Sequence, residues 1–115
     1  MKKVDVTLSS EAKTIYLWLK KRAESSKIER SILNAIDYKI GFIRADPHYG
    51  NPVAKRLIPK EYLLKYDIDN LFRIELPNFW RMLYSVSDNE VEIIAFIIEV
   101  IDHKDYNKKF GYKNR

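Results

Sequence analysis

Cationic side chains are concentrated in two stretches of this 115-residue sequence. Residues 54–65 contain four lysines and arginines against one acid, and residues 102–115 contain five against two. The whole chain has a net charge of +5, so the remainder of the sequence is slightly acidic. Ammonium and guanidinium groups at this density can bind phosphates, or they can form a charged surface that is simply solvated. If the two stretches meet in the fold, they form one cationic surface.

Two further side chains have the chemistry to act on a phosphate ester. Arg81 offers a planar guanidinium fork that can bind a phosphate through two hydrogen bonds. His103 directly follows a predicted buried strand, and an imidazole can gain or lose a proton near neutral pH. Each residue also has a structural alternative. Arg81 can form an ion pair with Glu75 across a hairpin, and His103 can hydrogen-bond with Asp102.

Aromatic rings lie among the lysines of the C-terminal stretch. Tyr106 and Tyr112 are flanked by lysines, and aromatic rings in such an environment often stack on the splayed bases of single-stranded RNA. They can equally pack, together with Phe110, over Phe96 and Ile98 of the preceding strand. The sequence leaves both alternatives open for the tyrosines, and we expect Phe110 to belong to the core.

Composition argues against several other kinds of site. The chain has no cysteine and only two histidines, which argues against disulfides, thiol catalysis and a dedicated transition-metal site. No apolar run approaches the roughly 18 residues that span a bilayer, and the N-terminus lacks a signal-peptide pattern. We therefore expect one cytoplasmic domain over residues 1–115, without cofactor, metal or membrane contact.

The first half of the chain predicts one strand followed by two helices. Val4–Leu8 alternates apolar and polar residues like a half-buried strand, and Ser9 then supplies a helix N-cap. Apolar residues at a spacing of three and four follow. A second helix begins near Lys27, where Ser26–Glu29 has the pattern of a capping box. Because the connection is short, the two helices should form an antiparallel hairpin.

The middle of the chain predicts a loop, a short helix and then strands. Residues 46–52 contain two prolines and a glycine and should be irregular. Val53–Ile58 can extend into a short strand, and Pro59 suits the first turn of a short helix at Lys60–Tyr66. A three-residue loop at Pro77–Phe79 would then join two strands, and the register of those strands follows from it.

That loop sets Ile74 opposite Met82 and Glu75 opposite Arg81. A second turn at Asp88-Asn89 predicts that Tyr84 lies opposite Ile93. Two helices cover one face of such a sheet, so its second face needs either the C-terminal tail or a partner protein. The last strand contributes these residues to the second face: Ile94, Phe96, Ile98 and Val100. We predict an α+β fold with an N-terminal strand, an antiparallel two-helix hairpin and then an antiparallel sheet covered by the helices on one face.

Five motifs carry a resemblance to a known family. They are Gly50-Asn51-Pro52, Lys55-Arg56-Leu57-Ile58-Pro59, Asn70-Leu71-Phe72-Arg73-Ile74-Glu75-Leu76, Trp80-Arg81-Met82-Leu83-Tyr84, and Asp102-His103-Lys104-Asp105-Tyr106 with Phe110-Gly111-Tyr112. In order and spacing the chain resembles the RelE-like branch of the RelE/ParE superfamily of type II toxins, and its ending is similar to that of archaeal-type members. The resemblance covers essentially the whole chain. Phe79 departs from it, because a small turn residue such as glycine is expected there.

The resemblance implies a small toxin that enters the ribosomal A site and cuts mRNA. Its partners would be the ribosome, mRNA and a cognate antitoxin that wraps around the toxin in a hetero-oligomer and holds it inactive. The branch also contains gyrase inhibitors, which share the fold but cut no RNA. A non-nucleolytic member, either a gyrase-type inhibitor or an RNA-binding domain, is therefore the alternative.

Metal-free RNA cleavage uses the 2′-hydroxyl of the substrate as its nucleophile. The protein then supplies a base, an acid, and a cation for the charge of the phosphorane. We predict that the catalytic residues are Arg81, His103, Lys60 and Tyr112. We predict that RNA and its phosphates are bound by Lys55, Arg56, Arg73, Lys104, Tyr106, Lys108 and Lys109.

Overall fold

The structure is a computed structural model that describes residues 2–111. Its five-stranded sheet has the order β1-β5-β4-β3-β2. The strands are β1 (Lys3–Leu8), β2 (Asn51–Pro52), β3 (Phe72–Glu75), β4 (Arg81–Asp88) and β5 (Glu92–Ile101). β1 runs parallel to β5, and the other neighbouring strands are antiparallel. The predicted α+β fold is confirmed, with the N-terminal strand added in parallel at one edge.

The helices of the described residues are α1 (Ser10–Arg22), α2 (Lys27–Ala45), α3 (Lys60–Tyr66) and α4 (His103–Lys109). The predicted starts of α1 and α2 are confirmed. The Ser9 hydroxyl accepts a hydrogen bond of 3.0 Å from the backbone N–H of Ala12, and the Ser26 hydroxyl donates to the carboxylate of Glu29. Within residues 2–111, none of these helices has the length and apolar character needed to cross a membrane.

α1 and α2 pack against one face of the sheet and form the first core with it. The helices contribute Ala12, Leu19, Ile32, Ile36 and Ile43, and strands β3 and β4 contribute Phe72, Ile74, Met82 and Tyr84. The predicted register of β3 and β4 is confirmed, since Ile74 lies opposite Met82 and Glu75 lies opposite Arg81. Pro77–Phe79 forms the predicted three-residue turn. Arg81 is thereby placed on the face away from the two long helices.

The register of β4 and β5 differs from the prediction. Tyr84 lies opposite Ile97 rather than opposite Ile93, so the predicted register of this pair is wrong. The turn is longer than predicted because the side chain of Asn89 accepts two hydrogen bonds of 2.8 Å, from the backbone N–H groups of Val91 and Glu92. The shift is an even number of residues, so most β5 side chains stay on their predicted faces.

An irregularity in β5 changes the face of the residues that follow it. Leu83 pairs with Glu99 while Tyr84 pairs with Ile97, which leaves one extra residue in β5. Val100 consequently joins the core beneath the long helices and not the second face, where it was predicted.

The second face of the sheet is covered by the chain itself. The buried cluster on this face consists of Ile58, Tyr62, Leu71, Leu83, Ile98, Ile101 and Tyr106. Tyr62 belongs to α3 and Tyr106 to α4, so two short helices provide the cover. Of the two predicted covers, the C-terminal segment is the one observed, with α3 added to it. The predicted strand at Val53–Ile58 is wrong, because this segment contains a 3-10 turn at Lys55–Leu57.

Three residues of the motifs have structural roles. The backbone N–H of Gly50 donates to the Tyr84 hydroxyl over 2.9 Å, and a Cβ at Gly50 would lie 2.9 Å from Tyr84 Cε1. A side chain at Gly50 would therefore collide with a buried ring.

Asn70 binds the backbone of Val86 through two hydrogen bonds of 2.8 Å. Its Oδ1 accepts one from the N–H of Val86, and its Nδ2 donates the other to the carbonyl of Val86.

Candidate nucleic-acid interface

Two arginines converge on one carboxylate on the second face of the sheet. Arg73 of β3 lies 3.1 Å from Glu75, measured from Nε to Oε1. Arg81 of β4 lies 3.2 Å from the same carboxylate, measured from Nε to Oε2. The ion pair between Arg81 and Glu75, predicted as the structural alternative, is therefore present. The three side chains together carry a net charge of +1, so the group can still attract a phosphate.

Tyr106 of α4 contacts both arginines. Its hydroxyl accepts a hydrogen bond of 3.0 Å from Arg73 Nη1, and the guanidinium carbon of Arg81 lies 4.8 Å from the centre of its ring. Such a cation–π contact contributes about 0.5–2 kcal/mol, depending on desolvation. Arg81 Nη1 also donates to the carbonyl of Phe79 over 2.6 Å. Three neighbours thus fix the guanidinium of Arg81, and its side chain is only 14% exposed.

The prediction that Tyr106 stacks on RNA bases is corrected by its burial. Its ring is 3% exposed and stacks against Phe110, with a centroid distance of 4.4 Å. The ring points into the second core, which is the buried cluster on the second face, because α4 covers apolar residues of β4 and β5. Tyr106 is therefore a residue that positions Arg73 and Arg81, and the expectation that Phe110 packs in the core is confirmed.

His103 stands at the start of α4 and faces solvent. Its Nε2 lies 3.1 Å from Asn107 Nδ2, and its ring centre lies 5.8 Å from that of Phe79. Asp102 acts as the N-cap of α4, because its carboxylate accepts a 2.9 Å hydrogen bond from the backbone N–H of Asp105. Phe79 and His103 thus meet at the tip of the β3–β4 hairpin, one turn of α4 away from the ring that supports Arg81.

Lys109 is held between two carboxylates. Its Nζ lies 3.1 Å from Glu99 and 3.3 Å from Glu61, and Glu99 also accepts a hydrogen bond from the hydroxyl of Tyr62. Burial acts to lower the pKa of Lys109, but the two carboxylates outweigh it and raise the pKa above its usual value. Burial, followed by the bond to Glu99, raises the pKa of Tyr62. Lys109 thus joins α4 to α3, and we remove it from the proposed phosphate-binding residues.

The other predicted cations lie on the segments that cover the second face. Lys55 and Arg56 belong to the 3-10 turn before α3, Lys60 is the first residue of α3, and Lys104 and Lys108 are exposed on α4. The contact between Lys109 and Glu61 shows that α3 and α4 meet. The described parts of the two basic stretches therefore lie on segments that cover the same face of the sheet, which meets the condition for one cationic surface. Tyr112 lies outside the described residues.

Two residues of this face were missed as functional candidates. Phe79 was noted only for its unexpected type at a turn, and its 73% exposed ring stands beside His103. Glu75 was treated only as the partner of Arg81, although its second oxygen also orders Arg73. The sequence did contain one signal for this contact, because Arg73 and Glu75 are two residues apart on one strand face. Within residues 2–111, no three histidine, aspartate or glutamate side chains are grouped as metal ligands.

Comparison with known proteins gives a structural match only. No protein-family model matches the chain, and no curated protein matches it by sequence. In structure the chain is similar to a YoeB/ParE toxin from Agrobacterium tumefaciens, with a TM-score of 0.59 and 16% sequence identity. The match covers 86% of this chain and 98% of that one. At this identity the match shows a shared fold, so the α+β arrangement predicted from the sequence is also the fold of that protein.

Proposed function

We propose that this protein is the toxin of a type II toxin–antitoxin system and a ribosome-dependent mRNA interferase. The observation that carries the proposal is the placement of Arg73 and Arg81. On a sheet with the fold of a YoeB/ParE toxin, one carboxylate and one buried tyrosine hold both guanidinium groups on the face that also receives the basic segments. Charged donors that are fixed before the substrate arrives need no reorganisation when negative charge develops.

The proposed reaction transfers a phosphoryl group within the RNA. The 2′-hydroxyl loses its proton and attacks the neighbouring phosphorus, the bond to the 5′-oxygen breaks, and the leaving oxygen takes up a proton. The products are a 2′,3′-cyclic phosphate and a free 5′-hydroxyl, and no cofactor is consumed. Arg81 binds the phosphorane, whose oxygens carry more negative charge than the ground-state phosphate, and Arg73 adds a second cation.

The remaining residues supply proton transfer and position. His103 is exposed beside Phe79, whose carbonyl accepts a hydrogen bond from Arg81, and is proposed to donate the proton to the 5′-oxygen. Lys60 and Tyr112 complete the proposed catalytic set. Exposed cations on α4 and before α3 bind phosphates along the RNA backbone, and these contacts orient the RNA without reading its sequence. These cations are Lys55, Arg56, Lys104 and Lys108.

One observation favours the non-nucleolytic alternative. Because Arg81 is engaged by Glu75, Tyr106 and the carbonyl of Phe79, its role can be to stabilise the hairpin and α4. A gyrase-type inhibitor or an RNA-binding domain would keep the same fold and the same basic face. Such a protein would not require the guanidinium of Arg81 to reach a substrate.

The proposal includes the partners and the compartment of a type II toxin. We propose that the protein acts in the cytoplasm on the ribosome and its mRNA, and that a cognate antitoxin binds it in a hetero-oligomer. A short reading frame beside the gene should encode this antitoxin. Co-expression of the two should relieve the growth arrest caused by the toxin alone.

Primer-extension mapping tests the proposed activity. Purified protein is incubated with mRNA on programmed ribosomes and, in parallel, with the same mRNA without ribosomes. We expect cuts that appear only with ribosomes. Intact mRNA together with circular dichroism of a folded protein would contradict the proposal, and inhibition of DNA gyrase by the same sample would support the alternative.

A further inference from the structure

The tip of the β3–β4 hairpin holds a phenylalanine in an unfavourable backbone conformation. Asn78 has φ +59° and Phe79 has φ +61°, so two consecutive residues adopt the left-handed conformation. Asparagine tolerates this conformation and glycine adopts it freely, whereas a phenylalanine rarely does. Strain of this kind persists where the surrounding structure enforces it, and it is frequent at functional sites.

Packing does not account for the phenylalanine at this position. The Phe79 side chain is 73% exposed and belongs to neither buried cluster. Its ring contacts the imidazole of His103 at a centroid distance of 5.8 Å and an angle of 56° between the ring planes. Most of the ring is left open to solvent, and an exposed ring of this kind contributes little to the core.

The phenylalanine is joined to the proposed phosphate site. Its backbone carbonyl accepts the 2.6 Å hydrogen bond from Arg81 Nη1. The backbone of Phe79 is therefore held beside the guanidinium that we assign to the phosphate. His103, at the start of α4, places a second ring in contact with the ring of Phe79.

The charge around the ring favours a nucleic acid over an apolar protein surface. Arg73 and Arg81 share one carboxylate, Glu75, which offsets only one of their two positive charges. Proteins that hold single-stranded nucleic acid combine cations for the phosphates with aromatic rings for the bases. Both components are present within one hairpin and the first turn of one helix.

We propose that Phe79, with His103 beside it, is a stacking platform for a nucleobase of single-stranded RNA whose phosphate is bound at Arg81. This proposal rests on the proposed function only in taking RNA as the ligand of this face. A π face accepts every base, so the platform adds affinity and position with little sequence preference.

Binding of a short single-stranded RNA that contains 2-aminopurine tests the platform without ribosomes or cleavage. Stacking on a ring quenches the fluorescence of this base. We expect wild-type protein to bind and quench, Phe79→Trp to do the same, and Phe79→Leu and Phe79→Ala to bind roughly 5- to 100-fold more weakly with little quenching. Phe79→Leu keeps an apolar side chain, so its loss separates stacking from a hydrophobic contact.

Tyr38→Ala is the matched control. This ring is 70% exposed on α2 and is not part of the basic face. We expect the control to bind and quench as wild type does, and thermal unfolding should show that every variant is folded. The proposal is overturned if Phe79→Leu binds and quenches like wild type, if wild type does not bind, or if Phe79→Ala weakens binding of the antitoxin only.

The same variants distinguish the failure of this inference from the failure of the proposed function. A wild-type protein that quenches 2-aminopurine but cuts no mRNA on ribosomes would support the platform and contradict the interferase. A wild-type protein that cuts mRNA at the same rate as Phe79→Leu would support the interferase and contradict the platform.

Discussion

Glu75 lies directly opposite Arg81 on neighbouring strands, and its carboxylate stands 3.2 Å from Arg81 Nε. The other oxygen of the same carboxylate stands 3.1 Å from Arg73 Nε. A half-exposed ion pair contributes at most about 1 kcal/mol to stability. The importance of Glu75 therefore lies in the orientation that it gives to two guanidinium groups.

Glu75→Gln should separate RNA binding from RNA cleavage. The change removes one negative charge from the site, so RNA should bind more tightly at low salt. The cleavage rate should fall roughly ten-fold or more, because Arg81 is no longer held in one orientation. Single-turnover cleavage and filter binding measure the two quantities. Cleavage at the wild-type rate would show that Glu75 does not orient the site.

Two substitutions of Tyr106 should have graded effects. Tyr106→Phe keeps the ring over Arg81 and loses the hydrogen bond to Arg73, so the free energy of unfolding should fall by about 1 kcal/mol. Tyr106→Ala also leaves a cavity in the second core and should lower it by about 3–5 kcal/mol. Urea denaturation of both variants checks this order. Equal losses would mean that the ring does not pack as described.

Phe79→Gly should stabilise the protein while it weakens RNA binding. Glycine relieves the left-handed strain at φ +61°, and the exposed ring contributes little to the core. We expect a gain of about 1 kcal/mol in the free energy of unfolding and a rise of several degrees in Tm. Phe79→Ala serves as the control, because it removes the ring but keeps a Cβ and should show no such gain. A Tm of Phe79→Gly below that of wild type would contradict the strain argument.

The ion pair between α1 and α3 should make stability depend on acid pH. Hydrogen bonds from Lys65 and then Tyr66 lower the pKa of Glu11 from 4.5 to about 2. Since the pKa is lower in the folded state, this contribution is fully present above about pH 4.5 and is lost as the pH falls toward 2. Urea denaturation at pH 5.5 and pH 3 should show a smaller loss for Glu11→Gln than for wild type. Equal losses in the two proteins would contradict the assignment.

The sequence predicted the elements whose signals are local. Ser9 and Ser26 identify the starts of the two long helices, and the three-residue turn at Pro77–Phe79 determines the register of β3 and β4. The register of β4 and β5 could not be derived in the same way. It depends on the side chain of Asn89, which lengthens the turn, and on one extra residue in β5.

Within the candidate site, the sequence predicted the contact between Arg81 and Glu75 but not the packing of α4 over it. Arg81 and its partner Glu75 follow from alternation along two strands. The burial of Tyr106 and the ion pairs of Lys109 depend on how α4 docks against α3, and no local pattern encodes that docking. Gly50, Asn70 and Tyr84 belong to the motifs that carry the family resemblance, but their contacts in the structure stabilise the fold.

The most direct test of the central claim is primer-extension mapping on programmed ribosomes with three variants beside wild type. Arg81→Ala should reduce cleavage by about 100-fold or more, since it removes the cation assigned to the phosphorane. Arg81→Lys keeps the charge but not the fork and should lie between the two. Arg44→Ala changes an exposed arginine in the last turn of α2 and should cleave like wild type. If folded Arg81→Ala protein cuts the same sites at the wild-type rate, Arg81 does not act on the phosphate and the account is wrong.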